Sequence, residues 1–287
     1  MKLYGSSTKV RAVFELSSSV FGYNVAKMCF QGPQEKLNET IYCQACTLTL
    51  ELAIYEMFKD MNIPFHSAAG FSLGEYAALM ATGVIDMRTS LELVHSRSKV
   101  MEMEVDNNAG RMAAIIDLNV EQIESLCERF GKSNVAIANY NSYEQIVVSH
   151  SVDCYKDLSN IVRSFGGRII PLKVNRPFHH LIMQPAANKY VLELRKYKLQ
   201  IPNKDIYLNV TGEKHDIDDS LIDKLYKQIF SPVQWIRTIE NMLADGIYTF
   251  YEISPKPTLA SFINNISDGK AIVINVQNDL LSELVTN

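Results

Sequence analysis

Residues 70–80 read Gly70-Phe71-Ser72-Leu73-Gly74-Glu75-Tyr76-Ala77-Ala78-Leu79-Met80. The first five form a G-x-S-x-G pattern and the rest opens a helix. A sharp strand-to-helix turn presents a serine as a nucleophile in this way. The pattern predicts a short strand over Ile63 to Ala69 and a helix from Ser72 to about Thr82. Glycines on both sides suit a strained turn with crowded walls. The serine then sits at a helix N-terminus, where free backbone N–H groups hold an anion. A serine alone is a weak nucleophile, so the chain must also supply a base and an oxyanion site.

Upstream, apolar stripes predict helices over 8–29 and 41–59, and downstream a helix over 89–104. Residues 112–174 then alternate in a recognisable order. MAAIIDL (112–118) is a strand, VEQIESLCERF (120–130) a helix stopped by Gly131, and NVAIANY (134–140) and QIVVSHS (145–151) are strands joined by a turn at Asn141-Ser142. A helix over 152–165 ends at Gly166-Gly167, and RIIPLKV (168–174) is a last strand. The order β-α-β-β-α-β is that of a ferredoxin-like unit. The expected architecture is therefore α/β. A large domain takes residues 1–107 and 175–287, and a small ferredoxin-like subdomain takes 108–174. Beyond it come helices over 185–197, 220–230 and 235–244, and strands over 206–212, 247–254 and 271–276.

Arg97 lies inside the helix over 89–104, and its neighbours three and four residues away are Leu93, Val94, Val100 and Met101. A surface arginine finds an acid or another polar group at such positions, as Lys99 finds Glu102. Arg97 therefore projects from an apolar stripe toward the interior or a cleft, where it must meet an anion. The blander alternative is a structural ion pair with a distant acid. A guanidinium beside an acyl-transfer serine suits an acyl group that carries its own carboxylate. For the base, His179 and His180 stand out among six histidines, just after the insert and just before a helix. Spacing does not choose between them.

The chain has 287 residues, with 47% hydrophobic and 21% charged, an ordinary globular balance. A formal net charge of −4 argues against a general nucleic-acid binder. No apolar run approaches membrane-spanning length and no signal peptide is visible. Five cysteines then point to free thiols in a reducing cytoplasm. Cys43 and Cys46 form a C-x-x-C, but it falls in a helix pattern with no second pair to complete a metal site. Core cysteines are the expectation.

Six segments together resemble the malonyl-CoA:acyl-carrier-protein transacylase family, including the free-standing acyltransferases of polyketide synthesis. GFSLGEYAALMATGVID (70–86) resembles the family's GHSLGEY segment, and SRSKVMEM (96–103) its arginine helix. PFHHLIMQPAA (177–187) resembles its P-F-H-S…M-x-P-A-A segment, and NSYEQIVVSH (141–150) its N-S-P-x-Q-V-V-I-S-G. KQIFSPVQW (227–235) resembles R-Q-L-x-x-P-V-Q-W, and LNETIYCQACTLTL (37–50) resembles L-N-x-T-x-x-T-Q-P-A-L. They occur in family order and span nearly the whole chain.

The resemblance implies an α/β-hydrolase-like large domain with the ferredoxin-like insert. It implies Ser72 as the acylated nucleophile, His179 as its base and the Leu73 N–H as one oxyanion donor. Arg97 would bind the malonyl carboxylate, and the Gln228 main-chain carbonyl would hold the histidine ring in place of a triad acid. Phe178 resembles the malonyl-selective form of its segment. Malonyl-CoA and an acyl carrier protein are the implied partners, with a polyketide or fatty acid synthase behind them. No metal or redox cofactor, nucleic acid or membrane is implied.

Departures from the family pattern qualify this. Members begin with a strand and a G-Q-G-S-Q loop whose first glutamine gives the second oxyanion donor. Residues 1–18 here align with the family segment C-terminal to that loop. The strand and donor are thus expected to be missing, which would expose a sheet edge and cost about 10²–10³ in rate. Phe71 replaces the family's histidine before the serine and removes a polar group from the pocket wall. His180 replaces a serine, and Ser254-Pro255-Lys256 stand where glycines are common. Two rival readings remain at this level: an acyl-thioester hydrolase, and a catalytically impaired relative that only binds its partner.

Overall fold

The computed structural model describes residues 2–281. Five helices come first: α1 (Lys2–Ser6), α2 (Thr8–Phe21), α3 (Val25–Gln31), α4 (Gln34–Leu37) and α5 (Thr40–Asp60). The single helix expected over 8–29 is thus two. Ser7 caps α2 by accepting the Val10 N–H at 3.3 Å, and Gly22 ends it at φ 78°, a left-handed conformation that favours glycine. Asn24 then caps α3 through the Lys27 N–H at 2.8 Å. Local capping outweighs the continuous apolar stripe.

β1 (Ser67–Ala69) leads through a 3-10 turn, Ser72–Gly74, into α6 (Glu75–Ala81), and α7 (Met87–Met103) comes next. β1 is shorter than expected because Pro64 has no N–H for a ladder. The chain continues with β2 (Arg111–Ile116), α8 (Val120–Phe130), β3 (Val135–Ser142), β4 (Gln145–His150), α9 (Tyr155–Ser164) and β5 (Arg168–Pro171). These four strands form one antiparallel sheet in the order β3-β4-β2-β5. β3 continues through Asn141 and Ser142, where a turn was expected, and the connection is Tyr143-Glu144. Register shifts after Ile137 and Tyr140 absorb the extra residues, and Asn141 Nδ2 donates to Gln145 Oε1 at 2.8 Å.

The described chain continues with α10 (Gln184–Leu194), β6 (Asp205–Tyr207), α11 (Leu221–Gln228), α12 (Trp235–Ala244), β7 (Thr249–Glu252), α13 (Thr258–Ile266), β8 (Ile272–Asn275) and a π-helical turn, Val276–Leu281. β6 pairs in parallel with β1, Ala68 opposite Ile206, and stops early because the chain turns back at Gly212, φ 68°. β7 and β8 form a second parallel pair. Residues 64–71 and 246–254 border one cavity of about 620 Å³ between these pairs. Among the described residues β1 and β7 each have one strand partner.

Two large cores organise the packing. One joins α2, α5, α7 and α10 through residues such as Phe14, Leu52, Leu93 and Tyr190. The other takes Ile123 and Leu158 from α8 and α9, Ile115 and Val148 from the antiparallel sheet, and Trp235 and Phe250 beyond it. The opposite face of that sheet, Ala114, Ala138 and Val147, meets Phe178. Among the described residues no helix is long and apolar enough to cross a membrane.

Candidate active site

β1 delivers the chain into its turn at Gly70. A Cβ there would lie 2.0 Å from the Gly74 carbonyl carbon and oxygen, so no side chain fits. Gly74 departs from expectation, since a Cβ on it would meet nothing within 4 Å. The crowding is one-sided. Ser72 stands at φ 48° and His179 at φ 57°, left-handed conformations that residues other than glycine hold at a cost.

Ser72 Oγ is 2.9 Å from His179 Nε2. Across the ring, Nδ1 lies 2.8 Å from the Gln228 carbonyl and 3.2 Å from the Ser231 carbonyl. Both carbonyls can only accept, so Nδ1 carries the proton and Nε2 accepts from the serine. Burial, and then the charge of Arg97, lower His179 to about 4 against the pull of the two carbonyls. The imidazole is therefore neutral at physiological pH. His180, its equal by spacing, faces away: Nε2 donates to the Lys132 carbonyl at 2.9 Å and Nδ1 accepts the Ile182 N–H at 3.2 Å.

Arg97 is 1% exposed, so α7 carries it inward as its apolar neighbours predict. Its partners are all neutral: Gln44 Oε1 at 2.8 Å, Gln228 Oε1 at 3.0 Å and Ser72 Oγ at 3.3 Å. Its Nε has no partner among the described residues. Among the described residues no carboxylate hydrogen-bonds the guanidinium, and the buried Glu75 carboxyl acts on it only through its charge. The arrangement suits an anionic ligand. Glu102 does not serve Lys99; it accepts the Thr40 N–H at 3.1 Å and lies 3.4 Å from Arg176.

Gln228 binds on three sides. Its carbonyl holds the imidazole, its Oε1 accepts from Arg97, and its Nε2 donates to the Ser72 carbonyl at 2.7 Å. Leu73 stands directly after Ser72 in the 3-10 turn. Phe178 is half-buried between the helical core and the antiparallel sheet, and its carbonyl accepts from Ser149 Oγ at 2.6 Å. Phe71 packs into an aromatic cluster, 5.5 Å from Trp235 and 6.5 Å from Phe262 between ring centroids.

Sequence reasoning missed Gln44, Glu75 and Asn209. Gln44 sits inside the C-x-x-C stretch, where the cysteines are the conspicuous residues. Of those, Cys46 is buried but Cys43 is exposed, contrary to the core reading, because the buried stripe of α5 runs through Gln44, Ala45 and Cys46. Glu75 opens α6 and is 1% exposed. An acid at a helix N-terminus is ordinarily a solvated dipole partner, which hid its role. Burial pushes its carboxyl up to about 7, against the Asn209 N–H and the charge of Arg97.

The family described as "Acyl transferase domain" matches residues 1–276. The malonyl CoA-acyl carrier protein transacylase of Escherichia coli (strain K12) is 34% identical over 262 residues, covering 90% of this chain and 85% of its own length. That of Bacillus subtilis (strain 168) is 30% identical, with 93% and 85% covered. The crystal structure of the Clostridium perfringens transacylase superposes with a TM-score of 0.91 at 33% identity, over 99% of this chain and 91% of that one. A malonyl-transacylase in complex with its type II PKS acyl-carrier protein superposes with a TM-score of 0.92 at 29% identity, over 100% and 94%. Sequence and backbone thus agree along almost the whole length, and the chain belongs to the acyl transferase domain family.

Proposed function

We propose that this chain is a malonyl-CoA:acyl-carrier-protein acyltransferase working through a Ser72 acyl-enzyme. The observation that carries the reading is Arg97 Nη2 at 3.3 Å from Ser72 Oγ, on a guanidinium whose partners are all neutral. A carboxylate at the far end of a short acyl group gives that cation a directly bonded anion and sets the thioester beside the serine. The malonyl CoA-acyl carrier protein transacylases similar to this chain support the choice of acyl donor and acceptor.

Ser72 Oγ gives its proton to His179 Nε2 and attacks the thioester carbon. The Leu73 N–H supports the developing oxyanion, and a second donor belongs to the family's glutamine loop. Coenzyme A leaves as the thiol with the proton from His179. The carrier's phosphopantetheine thiol then loses its proton to His179 and takes the malonyl group, and the departing Ser72 oxygen recovers that proton from His179. Gln228 keeps the imidazole in the required tautomer throughout. Phe178 narrows the acyl pocket against branched units. Nucleophile, base and anion contact are all side chains of this chain, so the step calls for no metal or redox group.

The same reading divides the chain into an α/β-hydrolase-like domain, 1–107 and 175–287, and a ferredoxin-like subdomain, 108–174. The strand order β3-β4-β2-β5 supports the second label. Five free thiols suit work in a reducing cytoplasm.

Intact mass after mixing with malonyl-CoA, and then with carrier protein, tests the function. A malonyl adduct that moves to the carrier is expected. An adduct lost to water instead makes the chain a hydrolase, and no adduct on folded protein leaves only a binding role.

A further inference from the structure

Ser72 holds a left-handed φ of 48°, and a serine needs outside support to stay there. The support comes from a distant segment. β1 and β6 are parallel with Ala69 opposite Tyr207, so the chain leaves both strands side by side. Asn209 therefore arrives beneath the turn that carries Ser72. Its Oδ1 accepts the Ser72 N–H at 2.6 Å, and its Nδ2 donates to the Gly70 carbonyl at 2.5 Å. One amide thus grips the turn on both sides of the serine.

Glu75 decides which way that amide faces. Its Oε1 accepts both the Asn209 N–H, at 2.8 Å, and Asn209 Nδ2, at 3.1 Å. A flipped amide would set Oδ1 against the carboxylate and the Gly70 carbonyl, and Nδ2 against the Ser72 N–H. Both residues are 1% exposed, and the Asn209 carbonyl is itself tied to the Gln234 N–H at 2.8 Å.

We propose that Asn209, oriented by Glu75, is a positioning residue that holds the Ser72 turn with Oγ aimed at His179 Nε2. The bond also commits the Ser72 N–H to Asn209. That N–H is withheld from an oxyanion, and the duty falls to the next residue, Leu73. The inference rests on the reading of Ser72 as the acylated group.

The test is the rate of single-turnover acylation by malonyl-CoA, and separately the rate of labelling by a fluorophosphonate serine probe. In Asn209→Ala both rates should fall about 10²-fold, the cost of a misplaced reacting atom. Half-saturation by malonyl-CoA should stay within about threefold, because Arg97 is held by Gln44 and Gln228 rather than Asn209. Asn209→Asp keeps the acceptor for the Ser72 N–H but turns an oxygen on the Gly70 carbonyl and Glu75, so its rates should fall like those of the alanine variant. Glu75→Gln keeps an acceptor for the Asn209 amide and should stay within about tenfold of the parent. A folded Asn209→Ala with parental rates overturns the proposal, as does one whose half-saturation worsens as much as its rate. If Asn209→Ala does not fold, a folded Asn209→Asp with parental rates overturns it alone. Failure of the functional reading looks different: the parent would take the fluorophosphonate but no malonyl group, and the Asn209 effect would still be read on the probe. A parent inert to both reagents overturns both.

Discussion

The antiparallel sheet and the β1–β6 pair do opposite work. β3-β4-β2-β5 is built from strands of four to eight residues with helices on one face. Its contribution is shape, a wall against Phe178. β1 and β6 have three residues each, yet Ser72 and Asn209 sit just past their C-terminal ends. A long ladder commits its backbone groups to itself. A short one releases the chain into turns whose N–H and C=O groups remain free to organise a site. Damage should therefore divide cleanly: losses at the parallel pair strike chemistry, and losses at the antiparallel sheet strike stability.

The largest expected effect is at the end of β1. Ser72→Ala should abolish the malonyl adduct and lower transfer by at least about 10³-fold while leaving the fold intact. An adduct that survives, read by intact mass, would break the comparison at its centre. Next is Arg97→Ala, which should slow malonyl acylation by about 10²-fold or more and spare acetyl loading. Competition between acetyl-CoA and malonyl-CoA checks this, and an unchanged preference would remove Arg97 from its role.

Smaller still is the response to acid. His179 is lowered to about 4, so falling pH adds the blocking proton to Nε2 only near that value. Acylation should drop about tenfold per unit below that limb, and any change near pH 7 belongs to the Glu75 carboxyl, which is pushed up to about 7. A limb at the ordinary imidazole value would show that the ring is not buried as described. The same shift makes the folded state refuse a proton that the unfolded chain accepts between 6.5 and about 4, so stability falls with pH across that window. The smallest effect belongs to the antiparallel sheet. Asn119 accepts the Gln122 N–H at 2.8 Å in a capping box at the start of α8. Asn119→Ala should cost about 1 kcal/mol and lower Tm by about 2–4 °C, with transfer unchanged. A matching loss of rate would blur the division.

Legibility divides along the same line. α8 is readable to its ends, Val120–Phe130, because its cap, its apolar spacing and its Gly131 stop are all local. The four strands of the antiparallel sheet are readable for the same reason, except the β3–β4 turn, which bulges displace. The three-residue strands are over-read, since an apolar run does not reveal where a ladder stops. In the site, Ser72 and Arg97 are legible from neighbours within four positions, and the pair His179/His180 from its place between the insert and the next helix. The choice of His179 comes from the resemblance of residues 177–187 and not from spacing, because physically it depends on carbonyls 49 and 52 residues away. Asn209 and Glu75 stay hidden because they meet across 134 residues, and neither residue type is unusual where it stands.

The segment around His179 is held from two sides. Phe178 and His180 are pinned to Ser149 and Lys132, on the antiparallel sheet and the connection after α8. The imidazole between them is pinned to Gln228 and Ser231, at and past the end of α11. The His179 ring is thus held between two anchorages, and its place depends on their separation. Warming that lets one anchorage rock against the other displaces the ring before any helix melts. Catalytic inactivation is then the earliest sign of heating, ahead of the loss of helical signal.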